Sequence, residues 1–258
     1  MKFEKILILL ATSLFLTFCA TSQSKVESKK VERENDPQYQ YEKAIVAMNY
    51  GLVDEAIKYL NEALALDPTH YESYKLLGIA HFKKKNLLEA ASAYKKCLEL
   101  NPDLSEVHND LGFIYQELDF LDKAEEEYKK AYAMDSNHNA SFNLAKLYLG
   151  QDKLELALDY VQKSIQKNAR ASAVYNLQGV ILNKMGRLLE AIMSFQSALK
   201  ISPNEIIIRI NLGIAYINNR EFEKARILFE NVLPHVKDQS LKDKINEYLK
   251  LIKDRVKK

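Results

Sequence analysis

Alanine recurs at a nearly constant interval through most of the chain, at Ala56, Ala90, Ala124, Ala157, Ala191 and Ala225, with spacings of 34, 34, 33, 34 and 34 residues. A period of this length marks a unit of two antiparallel helices that cannot bury its apolar face alone and stacks on copies of itself. Other positions keep step. Twelve residues before each alanine stand Ala44, Gly78, Gly112, Ala145, Gly179 and Gly213, all small. Four residues after it stand Leu60, Tyr94, Tyr128, Val161, Phe195 and Phe229, all large and apolar, and seven after it the residue is mostly small again. Small residues let paired helices approach closely, and the large residue one turn on is expected to fill the gap between successive units.

Twelve residues after the alanine come Pro68, Pro102 and Pro203, with Ser136 and Ala169 at the other two junctions. Proline cannot continue a helix and pushes its predecessor out of the α region, so it ends the second helix of a unit. Seven glycines and five prolines in 258 residues argue against a many-turned β architecture. Four glycines fall at the close-contact position, Gly51 and Gly186 at the turn inside a unit, and Gly150 near the fourth unit.

Tyr74, Leu77, Gly78, Ala90, Tyr94 and Pro102 in the second unit resemble the tetratricopeptide repeat, as do His108, Leu111, Gly112, Tyr115, Ala124, Tyr128 and Ala131 in the third and Leu212, Gly213, Tyr216, Ala225 and Phe229 in the sixth. The resemblance implies an all-α, right-handed superhelical solenoid of six helix-turn-helix repeats at 37–70, 71–104, 105–137, 138–171, 172–205 and 206–237. Residues 238–258 place Leu241, Ile245, Tyr248, Leu249, Ile252 and Val256 at helical spacing with a charged opposite face, as a C-terminal capping helix requires. Val161, Ser164 and Ala169 depart from the pattern, so looser packing or a bend is expected at the fourth unit. The first unit has Lys43 and Ala44 in place of Leu-Gly.

Ahead of the repeats, Ile6 to Phe18 is uncharged and, at thirteen residues, shorter than the roughly 20 a membrane-spanning helix needs. It reads as the apolar region of a secretory signal, residues 1–18. Leu16-Thr17-Phe18-Cys19 resembles a bacterial lipoprotein signal, which would make Cys19 the acylated N-terminus and residues 19–36 a polar tether, with Phe18 departing from the small residue usual there. Ala20 after the cysteine resembles signals sorted to an outer membrane. The competing reading places an ordinary cleavage site at Ala20-Thr21-Ser22 and leaves a soluble exported or cell-surface protein.

No catalytic motif emerges. The five histidines have no metal-ligand spacing, no phosphate loop or nucleophile elbow is present, and no cofactor is implied. His81 and His108 fall where the repeat packs aromatics, Cys97 at a small packing position, and Glu125-Glu126-Glu127 reads as a solvated face. With 37 basic against 35 acidic residues the chain lacks the charge of a nucleic-acid binder. The expected function is therefore a non-enzymatic protein-interaction scaffold.

Its partner-binding groove is expected on the first helix of each unit. Tyr41 and Met48, Lys75, Ile79 and Phe82, and Asn109, Phe113 and Gln116 project inward from the first three. Phe142 and Lys146, Asn176 and Asn183 follow, with Ile45, Leu149, Val180, Ile207, Ile210, Ile214 and Ile217 beside them, although the isoleucines of the sixth unit could equally pack on the cap. Apolar anchors mixed with amides and lysines suit a peptide groove. The layout of signal, tether and repeats resembles the type IV pilus pilotin lipoproteins. It is also similar to repeat lipoproteins that hold cell-wall hydrolases and proteases together. Both resemblances imply a lipid-anchored outer-membrane protein facing the periplasm.

Overall fold

The computed structural model describes residues 33–135, 138–168 and 170–256. The expected secretory signal, Cys19 and most of the expected tether lie outside the described residues, as do Ser136 and Ala169. The described residues form α-helices joined by short turns and contain no strand, as the repeat pattern predicts.

Six helical hairpins follow one another. They are α1 (Pro37–Asn49) with α2 (Val53–Leu66), α3 (Tyr71–Lys83) with α4 (Leu87–Leu100), and α5 (Ser105–Glu117) with α6 (Leu121–Asp135). Then come α7 (His138–Gly150) with α8 (Leu154–Lys167), α9 (Ser172–Lys184) with α10 (Leu188–Ile201), and α11 (Ile206–Asn218) with α12 (Phe222–Val232). A 3-10 turn at Leu233–His235 leads into α13 (Gln239–Val256). The hairpins fall into two compact units, α1–α4 and α5–α13.

Local chemistry sets the helix boundaries. Asp36 caps α1 by accepting the Gln38 amide at 3.0 Å, and Pro37 follows at the first helical position, where its missing N–H is not needed. Pro68, Pro102 and Pro203 each stand two residues beyond a helix end, and Asp67 and Asn101, before the first two, are in extended conformation. Within every hairpin the first helix ends on the same motif. Leu52 N donates to Ala47 O at 2.9 Å and Gly51 N to Met48 O at 3.1 Å, and equivalent pairs of bonds recur at Asn86, Phe120, Lys153, Arg187 and Glu221. The motif needs a positive φ at its central residue. Gly51 and Gly186 supply it freely, but Lys85, Asp119, Asp152 and Arg220 adopt it as well, at φ between 57° and 62°.

The hairpin cores close around the small position. A Cβ added to Gly78 would lie 2.5 Å from the Tyr94 ring, and Gly112, Gly179 and Gly213 face Tyr128, Phe195 and Phe229 in the same way. Each ring therefore fills its own hairpin, across from its own glycine, rather than serving mainly as filler between units as the sequence suggested. Where the large residue is aliphatic the glycine becomes alanine: Ala44 with Leu60, Ala145 with Val161, all four fully buried. The fourth hairpin is thus not the loose one. Its smaller Val161 is matched by the extra methyl of Ala145, Ser164 is buried, and Tyr148, Tyr132 and Tyr160 form an aromatic cluster beside it with centroids 5.5–5.8 Å apart.

Helix α13 packs against α12. Ile245 and Ile252 are buried against Phe229 and Val232, and the Tyr248 ring stacks on Phe229 at 5.4 Å and 11°.

Candidate functional site

The groove residues nominated from sequence separate by environment. In the first unit, Met48 is only 8% exposed and belongs to the α1–α2 core with Ala44 and Leu60, which removes it from the open wall. Tyr41 tilts against His70 with centroids 5.2 Å apart, and Lys75 and Ile79 are half-buried. Phe82 is exposed. The thiol of Cys97, fully buried, lies against the Lys75 backbone, and burial pushes its pKa up to about 11.

In the second unit the inner helices α5, α7, α9 and α11 carry a set of asparagine bridges. Asn143 donates to Asn109 at 3.0 Å, Asn211 to Asn176 at 2.9 Å, and Asn218 to Asn183 at 3.0 Å. Three of these, Asn109, Asn176 and Asn183, were nominated from sequence. Their partners Asn143, Asn211 and Asn218 were not: at separations of 34, 35 and 35 residues, each lies one residue beyond the local repeat interval. Each bridge uses one donor and one acceptor of a group that has two of each kind of site, so amide capacity is left over on both members. Gln116 accepts the Tyr128 hydroxyl at 3.3 Å, and Phe113 is half-buried. The half-buried ring of Phe142 lies under the Lys146 ammonium, 5.9 Å from its centroid.

Between the bridges of α9 and α11 a depression of about 240 Å³ opens, lined by Leu149, Val180, Asn183, Lys184, Asn211 and Ile214, with the buried Phe195 ring contributing to it. Ile210 does not belong to this wall: it is 6% exposed and packs in the core that α13 closes, while Ile207 stays exposed. The inner helices α7, α9 and α11 contain no aspartate or glutamate and three cations, Lys146, Lys184 and Arg209. Lys184 pairs with Asp152 at 3.0 Å, and Arg209 binds the Pro203 carbonyl at 2.7 Å. By contrast α5 carries Glu106, Asp110 and Glu117.

The acidic run on α6 is not the solvated face expected. Glu126 is exposed, but Glu127 bonds His108 at 2.5 Å and Lys130 at 3.0 Å, and Glu125 accepts the Tyr148 hydroxyl at 2.9 Å and Lys129 at 2.6 Å. Burial pushes the Glu127 carboxyl upward, yet the bonds from His108 and Lys130 outweigh it and hold the group below the usual carboxylate range. His108 and Glu127 are both largely buried, so this is a core pair, not a surface one.

A wall of stacked first helices, with amides, a lysine over an aromatic ring and one apolar depression, defines a repeat protein built to present a surface to protein partners. The chain belongs to the tetratricopeptide repeat family, whose models match residues 41–105, 110–173, 142–206 and 182–245. Repeats of this family are typically scaffolds without catalysis of their own. A repeat-containing protein of Methanocaldococcus jannaschii is 26% identical over 210 residues, 80% of this chain and 34% of that protein. The type IV pilus assembly protein PilF of Pseudomonas aeruginosa is 24% identical over 162 residues, 62% of this chain and 64% of its own length. The chain therefore spans less than two thirds of either relative. Among solved structures, P. aeruginosa PilF superposes with a TM-score of 0.63 at 22% identity, covering 72% of this chain and 85% of PilF. YrrB, described as having an unusual peptide-binding site, superposes with a TM-score of 0.61 at 20% identity over 73% of this chain and 97% of YrrB.

Proposed function

We propose that this protein is a non-enzymatic scaffold of the bacterial envelope that grips an extended segment of a partner protein on the wall formed by α7, α9 and α11. The carrying observation is that wall's chemistry: three inner helices without a carboxylate, amide bridges with spare capacity, and an apolar depression between them. An extended chain needs partners for its backbone N–H and C=O groups and a pocket for a side chain, and this wall offers both. A free depression of about 240 Å³ has room for one aliphatic or aromatic side chain. Lys146, exposed over the Phe142 ring, favours a segment with an acidic neighbour.

The proposed scaffold is exported and held on a membrane by an acyl chain on Cys19, facing the periplasm, a reading supported by the uncharged run Ile6 to Phe18 that ends next to that cysteine. Similarity to PilF in both sequence and fold supports a role in assembling an outer-membrane complex such as a pilus secretin. The test is capture of partners from membrane extract by the wild-type chain and by a Val180→Asp, Asn211→Ala variant. Loss of one specific protein from the variant supports the wall, and that protein's identity separates a secretin from a cell-wall hydrolase or protease. An unchanged partner list overturns the assignment. Labelling with a radioactive fatty acid, abolished by Cys19→Ala, tests the anchor.

A further inference from the structure

We infer that the outward face of the first hairpin is a self-association surface, which a second copy of this chain covers through a two-fold contact. Val46 on α1 is 53% exposed, whereas the residues at the same repeat position in later hairpins, Ala80, Leu147, Ile181 and Ala215, are at most 4% exposed. That position is the one a hairpin uses to stack on its predecessor. Around Val46 lie Tyr39, Tyr50, Leu52 and Tyr59, which together border a depression of about 370 Å³, and Tyr50 is 80% exposed. A terminal repeat that ends a stack in water carries a polar outer face. This one carries aromatic and aliphatic side chains.

Among the described residues no segment covers this face, where Val46 and Tyr50 stay exposed. On the proposed cleavage ahead of Cys19, the fourteen residues from Cys19 to Glu32, CATSQSKVESKKVE, offer only Val26 and Val31 as large aliphatic groups, too little apolar surface to replace a stacked helix. At the other terminus α13 already occupies the outward face of α11–α12, burying Ile245 and Ile252. A head-to-tail contact between first and last hairpins would have to displace it. First face against first face has no such obstacle, and it closes as a dimer without leaving a sticky surface for further growth. The rim supports self-pairing, because Glu42, Lys43 and Glu55 put both signs of charge around one depression. Lys43 is already fixed there, over the Tyr59 ring at 4.2 Å and paired with Glu34 at 3.0 Å.

Size decides the strength. Two helices, each about 20 Å long and about 10 Å apart, present roughly 400 Å² in projection, below the roughly 800 Å² per partner of a standard stable interface. The dimer is therefore a weak one that forms reversibly.

Site-directed cross-linking in cells expressing the full chain reads this out. In a Cys19→Ser background, Tyr50→Cys should give a covalent dimer on mild oxidation, and adding Val46→Asp should cut its yield at least tenfold. Leu88→Cys, exposed on α4, should give none. These positions are on the surface, and circular dichroism of each variant establishes that it folds. Absence of a dimer with Tyr50→Cys overturns the inference, as does equal yield from Leu88→Cys or a dimer indifferent to Val46→Asp. In the same Cys19→Ser background, a link from Tyr50→Cys to a Ser24→Cys inside one chain would also overturn it, by making the N-terminal segment the occupant. A cross-link to a protein of different mass would overturn it in favour of a heterologous partner.

Discussion

Gly78 and Tyr94 face each other across one hairpin so closely that a methyl group on Gly78 would sit 2.5 Å from the tyrosine ring. The contact explains why glycine is kept in the middle of α3 despite costing about 1 kcal/mol relative to alanine. Gly78→Ala should destabilise the protein by about 1–3 kcal/mol, because overpacking outweighs the gain in helix propensity. Tyr94→Leu should also destabilise it, through the cavity left behind. Combined, the two changes recreate the Ala44–Leu60 arrangement of the first hairpin. The double variant should be more stable than the sum of the singles predicts by about 1 kcal/mol or more, measured by chemical denaturation. Strict additivity would refute the size matching.

The same reasoning applies to the turns. Lys85 and Arg220 hold φ at 62°, where a side chain costs about 1–2 kcal/mol and glycine nothing. Glycine's larger unfolded-state entropy returns part of that. Lys85→Gly and Arg220→Gly should each stabilise the chain by about 0.5–1 kcal/mol, while Gly186→Ala should destabilise it by about 1 kcal/mol. Thermal unfolding of the three variants checks the signs.

These turns show what could and could not be read from the residues. The interval of 34 revealed the hairpins because a side chain that must be small for a partner helix to approach leaves a mark at every repeat. Gly51 and Gly186 announced their turns, but Lys85, Asp119, Asp152 and Arg220 did not, since the backbone motif imposes the positive φ on whatever residue stands there. The repeat spacing puts Asn109, Asn176 and Asn183 on the expected groove face. Their bridges were not legible there, because a hydrogen bond between neighbouring hairpins depends on how helices pack, while the repeat pattern records only what packs within each unit. Met48 failed as a groove residue, and Ile210 took the cap-side place of the two open to it, for a related reason: one helix position can face the wall in the middle of a stack and a core near its ends.

Helix α13 should behave as a lid on the last hairpin. Ile245 is fully buried against Phe229 and Val232, so Ile245→Asp places an unpaired carboxylate in that core at a cost of about 3 kcal/mol or more. Stability in stacked repeats is set largely by nearest neighbours. Hydrogen exchange should therefore quicken in α11, α12 and α13, with α7 and α8 much less affected. A uniform loss of protection through α5–α13 would show instead that this unit opens as one cooperative block.

The buried pair of His108 and Glu127 makes stability depend on pH in a definite direction. The bonds from His108 and Lys130 hold the Glu127 carboxyl below its ordinary value of 4.5 despite burial. A carboxyl depressed in the folded state adds stability above its unfolded value and loses it as the pH falls through the folded one. The contribution is complete at neutral pH and disappears in acid below about 4.5. Glu127→Gln should lower stability at pH 7, leave His108 without its charged partner, and reduce the further loss on acidification. Urea denaturation at pH 7 and near pH 3.5, for wild type and variant, compares the two slopes. Parallel slopes would mean that Glu127 is not among the groups that set the acid limit, leaving Glu125, bonded to Tyr148 and Lys129, as the next carboxylate to replace.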